Sequence, residues 1–65
     1  MKFIKFKDMY GEYCINMECI EEVNWLKGTR LFISTKRDEK IFYYDIAEEA
    51  KQTYRRIMRE LDNDI

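Results

Sequence analysis

Two cysteines, a crowd of glutamates and a short run of arginines are the residues of this chain with chemistry to offer. Cys14 and Cys19 are separated by four residues. That spacing suits a redox pair or half of a zinc site. A structural zinc needs four ligands, and the sequence holds no further cysteine and no histidine. Any such site would have to be shared with a second chain. The simpler reading is two reduced thiols packed as small hydrophobes. Glu12, Glu18, Glu21 and Glu22 supply carboxylates, but the alternating acids and glycine of a calcium loop are missing. They read as a solvated acidic edge. Arg55, Arg56 and Arg59 fall within one helical turn. They offer an anion or RNA contact, or an ordinary charged face in which Arg56 pairs with Glu60. Without histidine there is no triad and no imidazole base. Ser34, the sole serine, sits mid-strand with no base beside it. The expectation is no enzyme, no metal and no cofactor.

Nucleic acid is the next chemistry to weigh. Lys5, Lys7 and Arg30 are interleaved with Phe3, Phe32, Phe42 and Tyr44, as on sheets that stack bases. The glycine-and-aromatic pattern of the common RNA-binding sheet is absent. Twelve basic residues against 13 acidic ones give a net charge of −1, which argues against strong non-specific attraction to a polyanion. An RNA- or DNA-binding homodimer using Lys5, Lys7, Arg30 and the helix arginines stands as an alternative.

The elements that must position these groups follow from periodicity. Alternating apolar residues predict strands at about 2–8, 12–16, 20–27, 29–35 and 40–44. Asp8-Met-Tyr-Gly11 reads as a turn in which glycine offers a positive φ. Asn16 starts a second tight turn through its side chain. Ile20 and Val23, three residues apart, predict a bulged start to the third strand. Lys36-Arg-Asp-Glu39 forms a charged hairpin loop. The period then changes to 3.6, predicting a helix over about 46–61 with a short frayed tail. Asp45-Ile-Ala-Glu48 has the form of a capping box. Ile46, Ala50, Tyr54, Ile57, Met58 and Leu61 form its apolar stripe. The fold class is therefore α+β: a small twisted antiparallel sheet or partly open barrel of about five strands with one C-terminal helix. Trp25, Ile33, Tyr54 and Ile57 are the expected core.

Sixty-five residues make a single domain, 1–65, of marginal burial. Lysines interrupt Met1-Lys-Phe-Ile-Lys-Phe-Lys7 too often for a signal peptide. No run reaches the roughly 20 apolar residues of a membrane span. A cytoplasmic location with reduced thiols is expected.

The most informative feature is an apolar surplus. Sheet alternation gives two sets of large side chains, and one helix covers one face. Leu31, Ile33 and Ile41 are aliphatic and close-packing, so they are assigned to the helix together with Tyr43. Phe32, Phe42 and Tyr44 then form an outward stripe, rimmed by Arg30 and Lys40. Aromatics dominate interface hot spots. Arg30, Phe32, Lys40, Phe42 and Tyr44 are accordingly the expected partner-binding residues. The expected partner is a protein or a second copy of the chain. The function so indicated is a non-enzymatic protein-binding module, an adaptor or inhibitor of the kind phages and mobile elements encode.

Over Ile4 to Tyr54 the chain resembles the small FlbD-type flagellar and swarming-motility proteins. The resemblance is carried by Ile4-Lys-Phe, Gly11, Ile15-Asn-Met-Glu-Cys-Ile20-Glu-Glu-Val23, an alternating hairpin and the acidic helix start at Asp45 to Glu49. It implies the same run of strands before a helix, and a motility accessory role. The last hairpin departs from the family, with Lys36-Arg-Asp-Glu39 where an Asn-Gly-type turn is usual, and the helix is longer.

Overall fold

Short polar side chains, more than glycines, turn this chain. The computed structural model describes residues 2–26 and 28–62. Strands β1 (Phe3–Asp8) and β2 (Gly11–Asn16) form an antiparallel hairpin with Ile4 opposite Ile15 and Phe6 opposite Tyr13. At its tip the Asp8 carboxylate accepts from the amides of Tyr10 at 2.8 Å and Gly11 at 3.1 Å. Gly11 is the first residue of β2 and does not take a positive φ. Asp8, rather than a left-handed glycine, closes this turn. Asn16 then accepts from the Glu18 amide at 3.0 Å and opens a 3-10 turn over Met17–Cys19.

Strands β3 (Ile20–Leu26), β4 (Arg30–Thr35) and β5 (Glu39–Tyr43) make a second antiparallel sheet in the order β3-β4-β5. The register slips between Ile20 and Glu22, which leaves Glu21 as the extra residue of the expected bulge. Gly28, at φ 85°, supplies the left-handed turn residue between β3 and β4. The expected end of the third strand at residue 27 lies outside the described residues, as does the expected tail at 63–65. Thr35 organises the β4–β5 turn: its hydroxyl accepts from the Arg37 and Asp38 amides, and its own amide donates to the Asp38 carbonyl at 2.8 Å.

The two sheets meet without closing a barrel. The Met9 amide donates to the Tyr43 carbonyl at 2.9 Å, and the Tyr43 amide donates to the Asp8 carboxylate at 3.1 Å. Phe6 and Tyr13 of the hairpin meet Phe42 edge-on, with centroids 4.9 and 4.8 Å apart.

Helix α1 (Ala47–Asp62) starts with Glu48 and Glu49 and carries Arg59 in its last turn, complementing its dipole. It lies nearest β3 and β4. Ala50 and Ile57 are fully buried, and Tyr54 and Leu61 pack half-buried against the same core. The Arg56 guanidinium donates to the Lys5 carbonyl, and Lys2 pairs with Glu60 at 3.5 Å. Helix and hairpin therefore cover the same face of the three-stranded sheet. The core between these layers holds Ile4, Phe6, Leu31, Ile33, Phe42 and Ile57, with Met17, Tyr44 and Ala50. The result is a small α+β fold of five antiparallel strands and one C-terminal helix.

Four local expectations change. Leu31 faces Phe42 and Ile33 faces Lys40 across β4 and β5. Phe42 and Tyr44 are consequently core residues, while Ile41 and Tyr43 turn the other way. Trp25 shares the core side with Val23 but sits near the end of an edge strand, 39% exposed, its indole N–H donating to the Gly28 carbonyl at 2.9 Å. The helix opens one residue late. Ile46, not Asp45, holds the cap position, its carbonyl accepting from the Glu49 amide at 3.0 Å. Ile46 therefore leaves the helical stripe and is exposed.

Candidate functional site

The helix and the β1–β2 hairpin lie on the core side of the three-stranded sheet, and of the residues on its far face only Ser34 is buried. Strand pairing arranges its side chains in three rows. Glu22, Ser34 and Glu39 form the first, Asn24, Phe32 and Ile41 the second, and Leu26, Arg30 and Tyr43 the third. Phe32 and Ile41 are half-buried. Neither belongs to the core or packs against it. Leu26 and Tyr43 are exposed. The hairpin turn prolongs the apolar surface. Tyr10, 73% exposed, meets Tyr43 edge-on with centroids 6.0 Å apart, and Met9 beside it is exposed too. At the opposite end Asn24 donates to the Glu22 carboxylate. The face thus runs from an acidic end, through an aromatic and aliphatic middle, to a single arginine among apolar groups.

The five residues expected at a partner surface divide between the two sides of the sheet. Arg30 and Phe32 lie on the uncovered face. Phe42 and Tyr44 are buried in the core. Lys40 is on the core side of β5, where its ammonium lies 4.4 Å from the centroid of the Tyr13 ring and 5.6 Å from that of Phe42. It caps the open end of the aromatic cluster. Leu26, Ile41, Tyr43 and Tyr10 join the surface in their place. The signal for Ile41 and Tyr43 was available. A hairpin connection with an even number of residues sets odd positions of one strand opposite even positions of the next. Leu26 falls on this face by simple alternation with Asn24, whereas Tyr10 had no comparable signal, since its exposure depends on tertiary placement.

Besides a concavity of about 540 Å3 lined by Lys5, Lys7, Glu12, Cys14 and Arg56 among others, two more lie elsewhere on the molecule. One, of about 330 Å3, sits between the hairpin turn and the helix and is lined by Lys7, Asp8, Tyr44, Glu49 and Arg56 among others. Two of its charged groups are engaged: Asp8 accepts from three amides, and Arg56 donates to the Lys5 carbonyl. Tyr44 is buried there with its hydroxyl making no well-formed hydrogen bond. Burial raises its pKa above the ordinary tyrosine value, the Asp8 and Glu49 carboxylates add to this, and Thr53 and Arg56 partly offset it. The second, of about 500 Å3, opens between β2 and the β4–β5 turn, with Ile15, Ile33 and Phe42 in its floor. Cys14 at its rim is an exposed free thiol, and Cys19 is a half-buried one. Among the described residues no group of three or more histidine, cysteine or acidic side chains is placed to hold a metal ion. No described helix is long and apolar enough to cross a membrane.

Of the basic groups expected to contact nucleic acid, Lys5 and Lys7 lie on the exposed side of the hairpin and Arg30 on the far side of the second sheet. Arg56 is bonded to the backbone of β1. Lys5, Lys7 and Arg56 line the concavity of about 540 Å3 together with Glu12, and Arg30 lies apart from them on the second sheet. Comparison with protein-family models, curated proteins and solved structures finds no match for this chain.

Proposed function

We propose that this chain is a non-enzymatic protein-binding module of the cytoplasm, an adaptor or inhibitor acting by stoichiometric association through the uncovered face of β3-β4-β5. One observation carries this reading. Leu26, Phe32, Ile41 and Tyr43 form a contiguous apolar surface on a regular sheet, with Tyr10 and Met9 extending it, and no element among the described residues covers it. Contiguous apolar surface rimmed by polar groups is the usual mark of a contact site. Aromatic side chains on a rigid sheet contribute large contact area while freezing few rotors. A sheet scaffold also holds them in place without loop ordering on binding.

The test is affinity capture from lysate with the wild-type chain and with Phe32→Glu, each with and without nuclease and at low and moderate salt. The reading predicts capture that survives nuclease and salt and is lost in Phe32→Glu, which stays folded with a melting temperature lowered by no more than about 10 °C. Capture that disappears with nuclease, or falls steeply with salt, would instead mark a nucleic-acid contact. Capture unaffected by Phe32→Glu would remove this face from consideration.

A further inference from the structure

We infer that the uncovered sheet face pairs with the same face of a second copy of this chain, as an isologous two-sheet sandwich. The inference rests on the reading that this face is a contact surface, and it names the occupant. Charge order along β4 is what selects a second copy. Glu22 and Glu39 flank Ser34 at one end of the face, and Arg30 stands four positions away at the other, with Phe32 midway. Four residues of strand span about 13 Å.

When two such faces meet, the two-fold axis must lie in the plane between them. An axis along the strands would set acidic row over acidic row and Arg30 over Arg30. An axis across the strands, through the Phe32 row, exchanges the two ends. Arg30 of each copy then falls over Ser34 of the other, between Glu22 and Glu39. Phe32 and Ile41 meet their own counterparts at the centre. Of the two arrangements only the second pairs opposite charges, so the face is complementary to itself in one orientation. Self-complementarity of one patch is what a two-fold dimer requires.

The area sets the strength. Three strands about 4.8 Å apart and five residues long offer on the order of 250 Å2 per copy, extended by Tyr10 and Met9. A stable interface buries about 800 Å2 per partner. The pair is therefore a weak, concentration-dependent dimer whose orientation is set by charge. The bulge at Glu21 and the acidic Glu21 and Glu22 blunt the free edge of β3, which disfavours edge-to-edge pairing of the same strands.

Sedimentation equilibrium from micromolar to millimolar protein tests this, with circular dichroism to verify folding of each variant. Arg30→Glu weakens the dimer at least about tenfold, because like charges then meet at both ends. The double variant Glu22→Lys, Glu39→Lys does the same. Mixed together, the two variants associate, since every end again meets its opposite. Wild-type chain that stays monomeric over the range would overturn the inference. So would a dimer indifferent to Arg30→Glu, or variants that fail to associate when mixed. If the chain is monomeric while Phe32→Glu still loses a captured protein, only the self-pairing fails. If Phe32→Glu has no effect on capture either, the contact face fails with it.

Discussion

The two sides of the β3-β4-β5 sheet are built from alternate residues of the same strands, yet they are buried to different degrees. On the covered side Leu31, Ile33 and Phe42 are at most 1% exposed, enclosed by helix and hairpin. On the uncovered side Phe32 and Ile41 stay half-buried, and Leu26 and Tyr43 are exposed. Hydrophobicity does not separate the two sets. What separates them is whether a second layer exists to meet them. A chain of this size builds one second layer, and the helix and the β1–β2 hairpin use it up on one side. The apolar residues left on the other side cost solubility and stabilise the monomer less than their covered counterparts do, which is the physical reason for treating them as a contact surface.

The contrast breaks first at the helix. Ile57 is fully buried, and replacing it by alanine should lower unfolding free energy by about 2–5 kcal/mol. Total stability of domains like this is of the same order, so circular dichroism should show the variant largely unfolded at room temperature. An unaltered melting curve would mean that the helix does not seal the covered side. Asp8 comes next. Its carboxylate accepts from Tyr10, Gly11 and Tyr43 amides and so ties the hairpin to β5. Asp8→Ala should cost about 2 kcal/mol in urea unfolding, with Asp8→Asn recovering part of it. Gly28 has room beside it for a methyl group but takes a φ of 85°. Gly28→Ala should therefore cost about 1 kcal/mol through backbone strain alone, readable as a shift in the urea midpoint.

Tyr44 gives the smallest effect, and the opposite sign. Its buried hydroxyl makes no well-formed hydrogen bond, although the Thr53 side chain is close enough to favour its ionised form, so Tyr44→Phe should leave stability unchanged or raise it by up to about 1 kcal/mol near neutral pH. The pH dependence follows from the raised pKa, which burial causes chiefly. A folded-state pKa above the unfolded value contributes stability in full below about pH 10, and that contribution is lost as pH rises through the folded pKa. The wild type should therefore lose stability on the alkaline side more steeply than Tyr44→Phe. Tyr13 is raised as well, by desolvation and then by Asp8, and Tyr13→Phe is the control. Parallel alkaline melting curves for wild type and Tyr44→Phe would contradict the assignment.

Much of the fold was legible in the sequence, for local reasons. The shift from period two to period 3.6 after Tyr44 marks the helix, and the three-residue step from Ile20 to Val23 marks the bulge. Asn16 turns the chain through its side chain as its type suggests. The residues of the uncovered face were half legible. Arg30 and Phe32 lie on it as their alternation suggests, and Phe42 and Tyr44 lie in the core instead, because face assignment across a hairpin depends on loop parity and not on residue type. Trp25 misled for a different reason. Its bulk suggests core, but position near the end of an edge strand decides its exposure. Tyr10 and Met9 reach the surface only because the Asp8 turn docks on Tyr43, a tertiary contact that no local pattern encodes.

The central claim is that alternate residues of one sheet divide folding from association. Urea unfolding of Phe42→Ala beside Phe32→Ala tests it most directly. Phe42 should cost about 3–5 kcal/mol, as a fully enclosed aromatic does. Phe32, half-buried and held only by cross-strand neighbours, should cost about 1 kcal/mol. Equal losses in the two variants, or a larger loss for Phe32, would mean that the bare face is packed in the folded chain, and the division would be wrong.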